Sequence, residues 1–235
     1  MKKTKSIIFS VLWAAIIIVF PVASGFIIVV SKSDAITSRL IQAAFMYIST
    51  AIPFIYCKVK NIAPKEILLA GIDKSGVKTC LFYIPLIMIL LPMIVTGVDL
   101  SNIGYTLATF LFTLSVGIAE ELYFRGIILR FLSNHFADLP VIFISALIFE
   151  IGHASGAFVE SSPVMVLLSI FNAFLFGWIA AETALITKNI IPLMIFHCFF
   201  DFFTYQMLST GKVMISIYGV RGTLMTIVAV YLLIK

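Results

Sequence analysis

The stretch Ile118-Ala119-Glu120-Glu121-Leu122-Tyr123-Phe124-Arg125-Gly126 decides the fold, because it places two adjacent carboxylates and an arginine inside an apolar run from about Ile103 to Leu132. An ionised side chain at bilayer depth costs a few kcal/mol, so it faces a bundle interior or a water-filled cavity and takes a partner. At helical spacing, Glu121 and Arg125 are four apart and share a face. Glu120 points about 100° away from Glu121. The spacing therefore lets Arg125 neutralise one glutamate and leaves the other free for chemistry. A structural ion pair near a helix end is the plain alternative.

Composition supports burial in lipid. The 235 residues are 62% hydrophobic and 11% charged, against about 25% charged in a soluble domain. The expected fold is all-α: a polytopic membrane bundle of about eight transmembrane helices in a single domain over residues 1–235. The bilayer is the first partner. The net charge of +5 lies in short loops, where it acts as an orientation signal and not as a nucleic-acid footprint. The first apolar run, about 7–30, exceeds a signal-peptide core and lacks an evident small-residue cleavage site, so it reads as a retained helix. Cys57, Cys80 and Cys198 are scattered without a CxxC pair and read as free thiols.

Further spans are expected at about 36–57, 79–97, 102–132, 140–153, 163–185, 190–207 and 213–234. Lys2, Lys3 and Lys5, with the basic loop carrying Lys58, Lys60, Lys65, Lys74 and Lys78, put both ends of the first hairpin in the cytoplasm. Eight spans then place both termini there, in a cell membrane. Pro85 and Pro92 should kink the third span. Ala63–Gly71 could lie along the interface. The fourth span exceeds the bilayer core, so its end, with Arg125 and Arg130, should project into the cytoplasm and leave the glutamates near the cytoplasmic side. The fifth span ends at His153, before Ala154-Ser155-Gly156. Glu182 is expected to meet Lys188 or headgroups, and Arg221 a carboxylate or a shallow depth. Glu150, on another side of its helix from His153, is expected to meet a basic group. No internal repeat is evident, which argues against a two-halves transporter.

Two further pairs stand out. Phe149 and His153 are four apart on one span, and His197 and Asp201 are four apart on another. A lone membrane histidine more often joins helices by a hydrogen bond. Two histidines beside carboxylates can activate water, by general-base action or as metal ligands. His135 falls in a polar loop and reads as solvated.

The motifs Glu120-Glu121-Leu122-Tyr123-Phe124-Arg125, Phe149-Glu150-Ile151-Gly152-His153 and His197-Cys198-Phe199-Phe200-Asp201 resemble the three motifs of the CAAX protease and bacteriocin-processing family of intramembrane proteases, also called the Abi or type II CAAX prenyl endopeptidase family. The resemblance covers a motif-bearing core of about residues 80–205. It implies an intramembrane endopeptidase acting on a membrane-associated peptide or protein tail. It also implies a conical cavity open to the cytoplasmic side. Glu120 and His153 would activate water, and His197 with residue 201 would hold the oxyanion. Glu121 and Arg125 would shape the site, with Arg125 fixing the helix or receiving a substrate carboxylate.

Many members carry asparagine where this chain has Asp201. An ionised aspartate cannot donate to an oxyanion. Asp201 is then protonated by burial, orients His197, or joins Glu120, His153 and His197 around zinc or another divalent metal. No cofactor is required by the glutamate-base alternative, so a glutamate peptidase and a metalloprotease both stay open. The resemblance also supports a non-catalytic protein of bacteriocin self-immunity or a scaffold. An ion-coupled transporter is a third alternative, since buried Glu, His and Asp build proton relays.

Overall fold

A computed structural model describes residues 2–69, 79–153 and 162–234. Its eight helices among those residues are α1 (Lys3–Ser31), α2 (Ala35–Lys60), α3 (Ile84–Val95), α4 (Ile103–Ser133), α5 (Asp138–His153), α6 (Pro163–Thr187), α7 (Ile191–Gln206) and α8 (Gly211–Leu233). Two 3₁₀ turns, Pro64–Ile67 and Thr79–Tyr83, flank the α2–α3 connection. The fold is an all-α membrane bundle, as composition requires.

Lipid exposure explains the pattern on α1. Ser6, Ser10, Trp13, Ala14, Ile17 and Ser24 are buried along one stripe, while Val19, Val22, Phe26 and Val29 on the other faces are 61–76% exposed. A helix that turns mostly apolar side chains outward is stable only where the surroundings are apolar too. Among the described residues α1, α2, α4, α6 and α8 are long and apolar enough to cross a membrane. The other three are shorter. Pro85 lies in the first turn of α3, where no backbone donor is needed, so it starts the helix and does not kink it. Only Pro92 sits inside α3.

Consecutive helices run in opposite directions, which gives the bundle two distinguishable ends. Lys2, Lys3, Lys5, Lys58, Lys60, Lys65, Arg130 and Lys188 stand at one of them, here termed the lysine-rich end. At the opposite end are Lys32, Arg39 and Lys212. There Asp34 caps α2 through Ile36 and Thr37, and Asn102 caps α4 through Tyr105. The Thr37 hydroxyl and amide bonds hold the Asp34 carboxyl below the usual range. A bridge between Val98 and Met207 ties the α3–α4 turn to the end of α7.

At the lysine-rich end, the Pro64–Ile67 turn docks inward instead of lying along the interface. Ile67 is buried, Leu68 accepts from the Ile190 amide, and Arg130 reaches Glu66 at 3.0 Å. The Ala63 amide, and after it Arg130, hold Glu66 below the usual carboxylate range. Arg125 does not project from this end: it is 0% exposed, inside the bundle. The expected break at Ala154-Ser155-Gly156 lies outside the described residues.

Glycines set the closest helix crossings. A Cβ on Gly117 would lie 2.6 Å from the Met194 carbonyl oxygen and 3.0 Å from the Cys198 nitrogen, so α4 and α7 touch backbone to backbone. A Cβ on Gly177 would lie 3.1 Å from the Ala146 Cα, giving the same intimacy between α5 and α6. Such contacts bring side chains one turn away into register across the seam. Gly117→Ala is therefore expected to push α4 from α7 and to destabilise the protein by about 1–3 kcal/mol. Thermal unfolding of the detergent-solubilised variant against wild type checks this; an unchanged midpoint would show that the crossing is not tight.

Candidate active site

Local helix geometry comes first. Between Leu122 and Ile128, α4 widens into a π-helical segment. Such widened turns reset the angular register of a helix and recur at functional sites. Every residue of this segment is buried. Just before it, Glu120 and Glu121 diverge as the spacing predicts.

Glu121 is 0% exposed. Its Oε1 accepts from Arg125 Nη1 at 3.1 Å and from His197 Nδ1 at 2.8 Å. Arg125 also donates through Nη2 to the Gly177 carbonyl at 3.3 Å, and its guanidinium lies 4.5 Å from the Phe149 ring centroid. A desolvated arginine needs such partners, and an aromatic face adds to them. Thus Arg125 links α4, α5 and α6, while Glu121 links α4 to α7. With its guanidinium engaged and sealed from solvent, Arg125 is not placed to receive a substrate carboxylate.

Glu120 faces the other way, into a cavity of about 370 Å³. Its Oε2 lies 3.8 Å from His153 Nε2 and 3.9 Å from His197 Nε2, and has no hydrogen-bond partner among the described residues. The Phe149 carbonyl holds His153 Nδ1 at 2.9 Å. That bond fixes the tautomer with the proton on Nδ1 and turns the Nε2 lone pair toward Glu120. His197 is oriented by Glu121 on Nδ1, so its Nε2 faces both Glu120 and Asp201, whose Oδ2 is 3.6 Å away. Asp201 therefore meets the second ring nitrogen, and the orienting partner of His197 is Glu121. Phe149 and Phe176 complete the frame, with ring centroids 4.4 Å from His153 and 4.5 Å from His197 respectively.

All six candidate residues (Glu120, Glu121, Arg125, His153, His197 and Asp201) thus lie in one cluster. Among the described residues, no three His, Cys, Asp or Glu side chains gather in the way one metal ion requires. The set Glu120, His153, His197 and Asp201 is brought together from α4, α5 and α7.

Helix register gives the cavity its extent along the bundle. At 1.5 Å per residue, Glu120 is about 25 Å from the Ile103 end of α4. The walls beyond it are Val116 and Phe112 on α4, Met46 and Gln42 on α2, and Tyr205 near the end of α7. All of these lie on the side away from the lysine-rich end. Phe124, one turn toward the lysine-rich end from Glu120, and Gly152 and His153 of α5 line the same cavity.

Other charged groups differ from expectation as well. Glu182 is 2% exposed and makes no ion pair with Lys188 among the described residues. It lines a separate crevice with Asp138, because α8 covers it from the side. Arg221 is 3% exposed and takes neutral partners: its Nε donates to Asn172 Oδ1 and its Nη1 to Thr204 Oγ1, each at 3.1 Å. With Asn172, Thr204, His197 and Asp201 it lines a second cavity of about 170 Å³. The sequence signal for that wall is slight, an arginine in an apolar span and an asparagine in another. His135 is half-buried, its Nδ1 3.2 Å from the Phe131 carbonyl. Cys57 and Cys198 are free and buried.

Residues 102–203 match the family model of the type II CAAX prenyl endopeptidase Rce1-like proteins. No curated protein and no solved structure shows significant similarity to the chain. The matched span begins at the cap of α4 and ends within α7, so it holds the whole Glu120–Asp201 cluster and excludes Arg221.

Removing Arg125 would take from the buried Glu121 carboxylate its cationic partner on α4 and leave it the His197 ring. Arg125→Ala is expected to cost about 3–5 kcal/mol. The double variant Glu121→Gln, Arg125→Met should recover part of that loss in a thermal unfolding measurement. Equal destabilisation of both would show that the pair's charge is not what matters.

Proposed function

With residues 102–203 matching the Rce1-like type II CAAX prenyl endopeptidase family, we propose that this multi-pass membrane protein is an intramembrane endopeptidase. Its substrate is a membrane-associated peptide or protein tail, and its nucleophile a water activated by Glu120 and His153. The observation that carries the reading is the placement of Glu120 Oε2, 3.8 Å from His153 Nε2 and 3.9 Å from His197 Nε2, on the wall of a mostly apolar cavity.

The chemistry follows from the donors and acceptors. Glu120 and His153 Nε2 both accept, so a water between them can give each a hydrogen bond. Glu120 takes one water proton as the oxygen attacks the scissile carbonyl, making the new C–O bond. Charge then develops on the carbonyl oxygen. His197 is the donor for it: as an imidazolium with Nδ1–H on the Glu121 carboxylate, it would present Nε2–H. Asp201 Oδ2 lies 3.6 Å from that same Nε2. The intermediate collapses with cleavage of the C–N bond, and Glu120 returns its proton to the leaving amine. Arg125 and Glu121 are positioning residues that act through His197 and Phe149. Both chain termini are taken to lie in the cytoplasm of a cell-membrane protein, on the lysine distribution.

Purified protein is to be offered a library of membrane-tethered peptides. Glu120→Gln and His153→Ala should each lower cleavage by about 10²–10⁴-fold. Asp201→Asn should stay within about tenfold of wild type, roughly 1.4 kcal/mol. A chelator should leave the rate unchanged. Cleavage by folded Glu120→Gln at the wild-type rate would overturn the glutamate role. Loss of cleavage on chelation, and in Asp201→Asn, would replace it with a metal centre.

A further inference from the structure

We propose that a crevice at the lysine-rich end, with Glu182 on its wall, binds the ammonium headgroup of an aminophospholipid of the ethanolamine type. The site is separate from the Glu120–Asp201 cluster, and the inference does not rest on the peptidase reading.

Helix packing makes the crevice. α5 and α8 each pack along α6, but among the described residues they scarcely touch each other. A space of about 350 Å³ is left over α6. Glu182 and Ile186 of α6, Asp138 and Leu139 of α5, and Leu233 of α8 line it. All belong to the first or last two turns of their helices. α6 has 25 residues, about 37 Å, which approaches the roughly 40–45 Å of a bilayer with its headgroups. Its last turns therefore reach headgroup depth. Glu182 is about one and a half turns from that end, just under the headgroup layer. Asp138, the first residue of α5, is exposed and stands nearer the end.

Glu182 is the group whose chemistry is unmet. It is 2% exposed, and neither carboxylate oxygen has a hydrogen-bond partner among the described residues. The indole N–H of Trp178, one turn deeper on the same face, is turned toward it and is also without a partner at bonding distance. A carboxylate taken out of water is costly unless a cation or donors replace the water. Among the described residues no lysine or arginine lines this crevice. Lys188 lines a different one of about 240 Å³, with Glu66, Arg125 and Arg130, which shares only Leu185 with it.

The ligand class follows from these walls. A carboxylate under apolar side chains suits an amphiphile with a positive head. A primary ammonium carries three N–H donors, enough for Glu182 and Asp138 together. A trimethylammonium head has none to give. A serine head would bring a further carboxylate beside two, and a glycerol head brings no positive charge. Leu139 and Leu233, 55% and 50% exposed, offer apolar contact to the acyl chains. Bound there, the lipid joins α5 to α8 across α6.

The full chain, stripped of lipid in detergent, is titrated with a short-chain phosphatidylethanolamine while its thermal midpoint is followed. A ligand of the folded state raises the midpoint as its concentration rises. Phosphatidylethanolamine should act at concentrations about tenfold or more below those of phosphatidylcholine and phosphatidylglycerol with the same chains, the factor expected of a charge-assisted hydrogen bond. Glu182→Gln keeps the shape and removes the charge, and should make the three lipids equivalent. Leu139→Trp fills the crevice from an exposed position and should do the same, which keeps the test available if Glu182→Gln does not fold. Free ethanolamine and calcium chloride at the same concentrations should leave the midpoint unchanged. An equal response of wild type to the three lipids overturns the proposal, as does a preference that survives in the folded variants. A rise with free ethanolamine would make this a small-amine site, and a rise with calcium a metal site; either result overturns the lipid assignment.

Discussion

A guanidinium with no access to water is the constraint on which the rest of this bundle depends. Arg125 is 0% exposed and must find its partners inside the protein. It finds a carboxylate on its own helix, a carbonyl on α6 and an aromatic face on α5. The same carboxylate holds His197 on α7 at 2.8 Å. Four helices are thereby pinned around one charge pair. Displacing any of them leaves a buried ionic group unsatisfied, which is far more costly than losing an apolar contact. The pair also leaves Glu120 as the carboxylate that meets the cavity.

Close approach makes that arrangement possible. At Gly117 the backbones of α4 and α7 meet, one helical turn from Glu121 on α4 and beside His197 on α7. At Gly177 the backbones of α5 and α6 meet beside Phe149, and the Gly177 carbonyl is the one Arg125 uses. Larger residues at these two positions would separate the helices by more than a hydrogen bond tolerates. The π-helical turn at Leu122–Ile128 adds its own adjustment, since it carries Phe124 to the cavity and Arg125 to the crevice at the lysine-rich end.

α8 extends the polar lining beyond the cluster. Arg221 sits between the Phe200 and Tyr218 rings, at 4.6 and 4.1 Å, and is held by Asn172 and Thr204. It brings a positive charge to the far side of His197 and Asp201 without forming an ion pair of its own among the described residues.

Much of this molecule is written in its residue types and their spacing. Low charge and long apolar runs demand a helical bundle in lipid, since no other all-protein way of satisfying the backbone fits so many runs of that length. The four-residue interval from Glu121 to Arg125 makes one glutamate a structural partner and releases its neighbour. The intervals Phe149–His153 and His197–Asp201 place ring nitrogens on single helix faces. All of these are local, and helical periodicity alone fixes them. What no local rule could supply is the meeting of faces across helices. That Glu121, and not Asp201, orients His197 depends on the α4–α7 crossing at Gly117. That Arg125 is sealed instead of projecting depends on Phe149, Gly177 and the Pro64–Ile67 turn arriving from elsewhere in the chain. The lining of the cavity depends on the relative axial shift of α1, α2, α4 and α7, and sequence distance carries no information about axial shift. Periodicity determines what a helix presents; only packing determines what it is presented to.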